Sequence, residues 1–162
     1  MTTLHADHLI ESIAAALQYI SYYHPADYIA HLARAYEREQ SPAARDAIAQ
    51  ILTNSRMCAE GRRPICQDTG IVNVFLKVGM DVRWGPGFEQ GLDAVVNEGV
   101  RRGYLDPDNV LRASVLDDPI FARRNTKDNT PAVLHVELVP GNQVDVTVAA
   151  KGGGSENKSK VY

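Results

Sequence analysis

Residues Val133 to Ala150 read VLHVELV-PGNQ-VDVTVAA, which are two β-rich runs separated by a turn. Valine and other β-branched residues favour strands, and polar residues alternate with apolar ones in both runs. The intervening Pro140 to Gln143 is typical of a hairpin loop. We therefore predict a C-terminal hairpin, one face of which meets solvent or a polar site. Ile71 to Val78 is a third β-rich run and predicts a further strand.

Three helices are predicted ahead of the strand at Ile71 to Val78, which comes first of the three strands in the chain. Apolar residues between Asp7 and Tyr23 recur every three or four positions, as on one face of a helix. Pro25 suits the first turn of a second helix. Ser41 suits the N-cap of a third helix, which we expect to end at Gly61. The first sixty residues are thus predicted to form an all-helical layer.

A fourth helix is predicted after Pro86 and Gly87, with a stop near Gly103. The segment from Val110 to Asn129 shows no clean period and is predicted to be mostly loop. Together these elements predict an α/β (α+β) fold, in which an N-terminal helical layer packs on a mixed β-sheet with a C-terminal hairpin.

Composition excludes several classes of protein. The 162 residues suit one domain, and 44% hydrophobic with 23% charged residues is ordinary globular composition. The formal charge is −3, and the sequence contains no block of like charges. Nothing in its charge pattern therefore predicts nucleic acid or anionic lipid as a partner. The N-terminus does not resemble a signal peptide, and no apolar run approaches the roughly 20 residues that span a bilayer. We expect no nucleic-acid partner, no membrane and a cytoplasmic location.

The segment Cys66-Gln67-Asp68-Thr69-Gly70 is the first candidate for chemistry. A thiolate can ligate iron or zinc, a carboxylate can move a proton, and an amide can donate to a substrate carboxylate. The alternative is a buried small hydrophobe followed by a turn. Cys58 is separated from Cys66 by seven residues, whereas close zinc-ligand pairs usually stand about two to four apart. We expect Cys58 to be an ordinary buried thiol.

The segment Lys151-Gly152-Gly153-Gly154-Ser155 is the second candidate. Successive glycines let backbone N–H groups approach an anion without obstruction by a Cβ atom, and the lysine adds positive charge. The spacing excludes both a P-loop and a dinucleotide fingerprint. The alternative is a flexible turn after a strand. Arg112 lies between apolar neighbours, so we expect its charge to have a specific partner.

Together, Arg63 to Gly70 and Lys151 to Lys158 resemble the N-terminal part of the iron-sulfur hydro-lyases of the class I fumarase and tartrate dehydratase family. The resemblance extends over the whole chain, with Asn109 to Arg112 and Asn125 to Asn129 lying between the two motifs. It implies a 4Fe-4S cluster held by three cysteines, with one iron open to a 2-hydroxy dicarboxylic acid such as malate. It also implies that the open iron acts as a Lewis acid.

By this resemblance Cys66 is a cluster ligand. Gln67, Asp68 and Arg112 resemble residues that contact the substrate, with Asp68 also the candidate catalytic residue. The backbone of Gly152, Gly153 and Gly154 resembles a strip that lies along the substrate.

The family's two further cysteine ligands lie beyond the glycine motif, so the resemblance implies that they are outside this chain. We therefore expect residues 1–162 to be a single N-terminal domain portion of a longer enzyme, or one piece of an assembly. The isolated chain is expected to be inactive as a hydratase. Expected partners are fumarate or malate, the remainder of the enzyme and a second copy in a homodimer.

Two alternatives to a fumarate hydratase stay open. One is a subunit of a tartrate dehydratase, which needs the same iron. The other is a non-catalytic module whose glycine strip binds a dicarboxylate or phosphate without any metal.

Overall fold

A computed structural model describes residues 3–66 and 70–154 of the chain. The chain divides into two compact units, here called the sheet unit (Met1–Gln18 with Gln67–Tyr162) and the helical unit (Tyr19–Cys66). The elements of the described residues, in chain order, are β1 (Thr3–Leu4), α1 (Ala6–Tyr22), α2 (Ala26–Arg38), α3 (Pro42–Gly61), β2 (Ile71–Gly79), β3 (Arg83–Trp84), α4 (Leu92–Leu105), β4 (Leu116–Asp117), β5 (Arg124–Asn125), β6 (Val133–Val139) and β7 (Val144–Lys151).

The sheet unit is built around β2. This strand pairs with β6 in parallel and with β7 antiparallel, so the three-stranded sheet has the order β6-β2-β7. Every second side chain of β2 faces the core, as strand geometry requires, and these core-facing residues are Val72, Val74, Leu76 and Val78, none more than 3% exposed. The mixed sheet and the α+β class are confirmed.

The predicted C-terminal hairpin is wrong in its pairing. The two strands occupy the expected residues, but β2 lies between them. Two strand spacings amount to roughly 10 Å, and a four-residue connection reaches about 13 Å, so Pro140–Gln143 is long enough to cross the end of β2. The Gly79 amide donates to the Gln143 carbonyl at 2.8 Å, and a Cβ atom at Gly79 would overlap the Gly141 carbonyl. Glycine at this position therefore permits the crossing.

Helix α1 packs against α4 within the sheet unit. The apolar residues that recur along α1 include Leu9, Ile13 and Leu17, and each is at most 1% exposed. This confirms the predicted buried face of α1. Two glycines of α4 allow close approach, because a Cβ atom at Gly99 would lie 2.9 Å from the Ile13 Cβ, and one at Gly103 would lie 2.8 Å from the Leu17 Cδ1. The core-facing part of α1 belongs to the sheet unit, whereas α2 and α3 belong to the helical unit.

The helical unit contains the end of α1 together with α2 and α3. Pro25 is the N-cap of α2, just ahead of the first turn in which it was expected. Ser41 occupies the N-cap position of α3 as expected, without a capping hydrogen bond from its side chain. Helix α3 ends at Gly61, and Arg62 follows in the left-handed conformation with φ of 47°. His24 Nδ1 lies 3.1 Å from the Ser55 hydroxyl, and burial lowers the pKa of this imidazole.

Between α4 and β6 the sheet unit is mainly irregular. The only regular structure that the model describes between Val110 and Asn129 is the two-residue pair β4–β5, in agreement with the loop prediction. No helix within residues 3–66 and 70–154 is both long and apolar enough to cross a membrane.

Candidate active site

Cys66 lies at the end of a segment that is fixed by backbone hydrogen bonds. The amide of Ile65 donates to the Ser21 carbonyl at 2.9 Å, and the Asn54 side-chain amide donates to the Ile65 carbonyl at 3.4 Å. Cys66 itself is an exposed free thiol. The alternative of a buried small hydrophobe is therefore wrong, and the exposed sulfur is accessible to a metal centre or a reagent.

Cys58 differs from Cys66 in burial. It is 3% exposed, and its thiol donates to the Pro64 carbonyl at 3.4 Å. The prediction of an ordinary buried thiol at this position is confirmed.

Gly70 connects the first motif to the second. Gln67 and Asp68, predicted to contact substrate, lie outside the described residues, and Gly70 follows them with φ of 56°. The register of β2 with β7 pairs Ile71 with Lys151. A Cβ atom at Gly70 would overlap the Lys151 carbonyl and would lie 2.7 Å from the Gly152 Cα. The end of the first motif thus contacts the start of the glycine motif.

Asparagine side chains hold the loop that carries Arg112. Asn109 accepts from the Leu111 amide at 2.9 Å and Asn125 donates to the Ala113 carbonyl at 2.6 Å. Asn129 accepts from the amides of Ser114 and Val115 at 2.7 and 3.0 Å. The backbone on both sides of Arg112 is therefore held by hydrogen bonds to side chains rather than by hydrogen bonds between strands.

The same loop is bonded directly to Gly70. The Ser114 hydroxyl donates to the Gly70 carbonyl at 2.5 Å, and the Asn129 side-chain amide donates to it at 3.0 Å. Asn129 is completely buried and also donates to the Tyr104 hydroxyl at 3.0 Å. The Arg112 loop, Gly70 and the start of the glycine motif are consequently linked within the sheet unit.

The predicted ligand-binding groups of this unit are accessible. Arg112 is exposed, Gly152 is half-buried, and Gly153 and Gly154 are exposed. Among residues 3–66 and 70–154, no atom lies within 4 Å of where a Cβ atom would stand at Gly153 or Gly154. A ligand can therefore approach this backbone closely, although a flexible turn would leave the same space.

The donor set for an iron-sulfur cluster is partly represented. Cys66 offers one exposed sulfur, the ligand type that such clusters use. Across residues 3–66 and 70–154, no three His, Cys, Asp or Glu side chains are grouped so as to hold a metal ion. The described residues therefore fit a single contribution to a cluster and not the whole site.

A cleft of about 620 Å³ lies beside this region but belongs to other residues. Its lining comes from positions 116–131 and includes Asp117, Lys127 and Asp128. Of the predicted site residues that the structure describes, none contributes to this lining.

Sequence reasoning missed the roles of Asn129 and Ser114. The available signal was the cluster of polar residues Asn125 to Thr130, because asparagine tolerates positive φ and bonds readily to backbone groups. Asn129 has φ of 59°, as this preference allows. Its partners at Gly70 and Ser114 are 59 and 15 positions away, so the pairing could not be read from local spacing.

The chain matches a known protein family over most of its length. The family model described as fumarate hydratase (Fumerase) matches residues 10–162. The chain belongs to the fumarate hydratase family. The predicted resemblance to class I fumarases and tartrate dehydratases is thereby confirmed at the level of the family.

Several members of the fumarate hydratase family are similar in sequence. The chain is 35% identical over 113 residues to "Fumarate hydratase class I, anaerobic" of Escherichia coli strain K12, which is 70% of this chain and 20% of that protein. It is 34% identical over 117 residues to "Fumarate hydratase 2" of Leishmania major, or 71% and 20% of the two chains. It is 28% identical over 142 residues to "Putative L(+)-tartrate dehydratase subunit alpha" of Methanocaldococcus jannaschii, or 85% and 48%.

The share of each relative that is matched differs between the two kinds of protein. The chain spans about a fifth of the length of the two fumarate hydratases and about half of the tartrate dehydratase subunit.

Proposed function

We propose that the chain is the N-terminal part of an iron-sulfur hydro-lyase that reversibly hydrates fumarate to malate. The observation that supports this most strongly is the contact of Gly70 with the backbone of Lys151 and Gly152, since it joins the ends of two chemistry-bearing motifs. Membership of the fumarate hydratase family supports the reaction class. The relatives named fumarate hydratase support the substrate.

The substrate would be held by its carboxylates. A guanidinium group binds a carboxylate with two parallel hydrogen bonds, which is the proposed role of Arg112. Backbone N–H groups of the Gly152–Gly154 strip would bind along the substrate, because glycine has no Cβ atom to interfere. Gln67 would donate from its side-chain amide to a carboxylate oxygen.

Asp68 is the proposed general acid-base residue. Hydration adds hydroxide to one alkene carbon of fumarate and a proton to the neighbouring carbon, and the reverse reaction removes both. A carboxylate beside the substrate can take that proton in one direction and return it in the other.

Cys66 is the proposed ligand of the 4Fe-4S cluster from this chain, with two further cysteines expected outside it. When bound, the cluster would supply a Lewis acid for the substrate hydroxyl. The exposure of the Cys66 sulfur is the feature that supports this assignment.

Tartrate dehydration is the second candidate, because the archaeal tartrate dehydratase subunit matches 85% of this chain and 48% of its own length. The proposed roles of Cys66, Asp68 and Arg112 would be the same, since L-tartrate is also a 2-hydroxy dicarboxylate. The homodimer, the cytoplasmic location and the single N-terminal domain portion remain predictions.

The test uses the gene product purified without oxygen from its source. We expect iron and sulfide to copurify, visible absorbance of a 4Fe-4S cluster, and conversion of fumarate to malate exceeding dehydration of L-tartrate. Cys66→Ser should lose both cluster and turnover. The isolated residues 1–162 should show no turnover after anaerobic reconstitution.

Cys58→Ala is the matched control, because this buried thiol is expected to keep the cluster. A Cys66→Ser protein with normal iron content and normal turnover would contradict the proposal. If that variant instead binds fumarate or phosphate as tightly as wild type, and wild type has no turnover, the metal-free binding module is correct. Faster dehydration of L-tartrate than hydration of fumarate would favour the second candidate.

A further inference from the structure

Asn129 uses the whole hydrogen-bonding capacity of its side chain. Its two N–H groups donate to the Gly70 carbonyl and the Tyr104 hydroxyl, each at 3.0 Å. Its oxygen accepts from the amides of Ser114 and Val115. A neutral amide can make this number of bonds, and no other short side chain presents the same donors and acceptors.

The orientation of this amide is fixed by its partners. The oxygen faces two backbone N–H groups, and the nitrogen faces the carbonyl of Gly70. Rotating the group by half a turn would set oxygen against oxygen and nitrogen against N–H. Because the residue is completely buried, no water can compensate such a mismatch, and the unsatisfied groups would destabilise the rotated amide.

The groups that Asn129 joins belong to different parts of the proposed site. Gly70 is two positions after Asp68, and Ser114 is two positions after Arg112. A single rigid side chain therefore sets the position of the backbone next to the proposed acid-base residue relative to the backbone next to the proposed carboxylate clamp. Asn129 is itself fully buried, so it does not contact substrate.

We propose that Asn129 is a positioning residue of the hydro-lyase site, and that the Ser114 hydroxyl assists it at the Gly70 carbonyl. This assignment rests on the proposed function. Misplacing a reacting group by about 1 Å can cost on the order of a hundredfold in rate. A small shift of the backbone at Gly70 is therefore sufficient to lower kcat.

The test is a graded series in the anaerobically purified gene product. Asn129→Asp keeps the acceptors for Ser114 and Val115 but loses the donor to Gly70, so kcat per cluster should fall about tenfold or more while KM changes less than about threefold. Ser114→Ala removes one bond to Gly70 and should cause a smaller loss of kcat. Ser114→Thr keeps the hydroxyl, so its kcat should be close to that of wild type and above that of Ser114→Ala. Amide hydrogen exchange at residues 70–72 should rise in the order of the kcat losses.

Asn97→Asp is the matched control, because it makes the same substitution at another site. The Asn97 side chain hydrogen-bonds the backbone of Asp93 and Ala132 instead. It should keep kcat within about twofold of wild type. If Asn129 has only a structural role, Asn129→Asp and Ser114→Ala would lower the amount of cluster-loaded enzyme but leave kcat per cluster unchanged. That result would overturn the assignment of Asn129 without affecting the proposed function. A wild-type protein that turns over neither fumarate nor L-tartrate would overturn the proposed function as well.

Discussion

The sheet unit and the helical unit hold their proposed functional residues by different means. In the sheet unit, Gly70 and the Arg112 loop are joined through the buried side chain of Asn129 and the Ser114 hydroxyl. In the helical unit, Cys66 follows a segment that is anchored through the backbone of Ile65, and the thiol itself is exposed.

The proposed roles of these groups make different demands on their surroundings. A substrate with two carboxylates must be met by several groups at fixed separations, which requires a rigid and fully bonded support. A cluster ligand must present an accessible sulfur, so burial of Cys66 would defeat its proposed role. Cys58 illustrates the contrast, because it is buried in the same unit and has a hydrogen-bond partner.

The largest expected effect comes from Gly70→Ala. The new Cβ atom would overlap the Lys151 carbonyl, and alanine would be strained at φ of 56°. Strain of about 1–2 kcal/mol and overpacking of about 1–3 kcal/mol together predict a loss of about 4 kcal/mol in the free energy of unfolding. Urea denaturation measures this loss, and Gly154→Ala is the control, because its new Cβ atom would meet no atom of the described residues within 4 Å. Equal midpoints for the two variants would show that Gly70 is not tightly enclosed.

Leu76→Ala should have the next largest effect, and it tests whether β2 is the centre of the sheet unit. Leu76 is 1% exposed, and truncation of such a residue costs about 3 kcal/mol. Leu138 of β6 is 68% exposed, so Leu138→Ala should change the free energy of unfolding by less than about 0.5 kcal/mol. A simple hairpin of β6 and β7 would not predict this ranking, and comparable losses in the two variants would argue against the observed strand order.

Gly99→Ala should cause a smaller loss by separating α1 from α4. A Cβ atom would stand 3.1 Å from the Ile10 carbonyl as well as 2.9 Å from the Ile13 Cβ, so backbone must move. Overpacking costs about 1–3 kcal/mol and the gain in helix propensity returns about 1, which leaves a net loss of about 1 kcal/mol. Gly103→Ala meets chiefly the flexible Leu17 side chain and should be nearer neutral. Thermal unfolding compares the two, and a more stable Gly99→Ala protein would refute the tight crossing.

The smallest effect concerns Glu98 of α4. Hydrogen bonds from Arg101 and Arg102 lower the pKa of Glu98 to about 2. A depressed carboxyl pKa stabilises the fold above its ordinary value of 4.5, and the contribution disappears as pH falls from there to about 2. Because the arginines are largely exposed, Glu98→Gln should lose only about 0.5 kcal/mol at pH 7.

Urea titrations of Glu98→Gln at several pH values check this expectation. Glu60 of the helical unit is the control, because its side chain is 71% exposed and lies 4.0 Å from Arg56. Glu60→Gln should have no measurable effect. A difference between wild type and Glu98→Gln that persists unchanged at pH 2 would contradict the electrostatic explanation.

Most elements could be predicted from sequence because their signals are local. The period of α1, the Ser41-Pro42 start and Gly61 end of α3, and the β-branched runs of β2, β6 and β7 all lie within short windows. The start of α4 was less clear, because Phe88 is apolar but lies ahead of the helix, which begins at Leu92 after Gly91. Gly91 has a φ of 92°, and the sequence gives only a weak indication of this backbone conformation.

The two motifs were also recognisable in sequence, since unusual residue types stand close together in each. Their relation was not recognisable, because it depends on the pairing of Ile71 with Lys151 across 80 positions. The wrong hairpin prediction has the same origin. A short connection favours neighbouring strands, but here β2 occupies the central position of the sheet and buries four side chains of one face in the core.

The sequence by itself determined the class of fold, the places of the helices and strands, and the two segments in which chemically reactive or flexible residues are concentrated. Those properties arise from periodicity and side-chain chemistry, which act over a few residues. The tertiary structure alone decided that β2 separates β6 from β7, that Gly70 lies against Gly152, and that Asn129 joins Gly70 to the Arg112 loop. Such contacts depend on packing and hydrogen bonding between segments that are distant in the chain, and no local pattern encodes them.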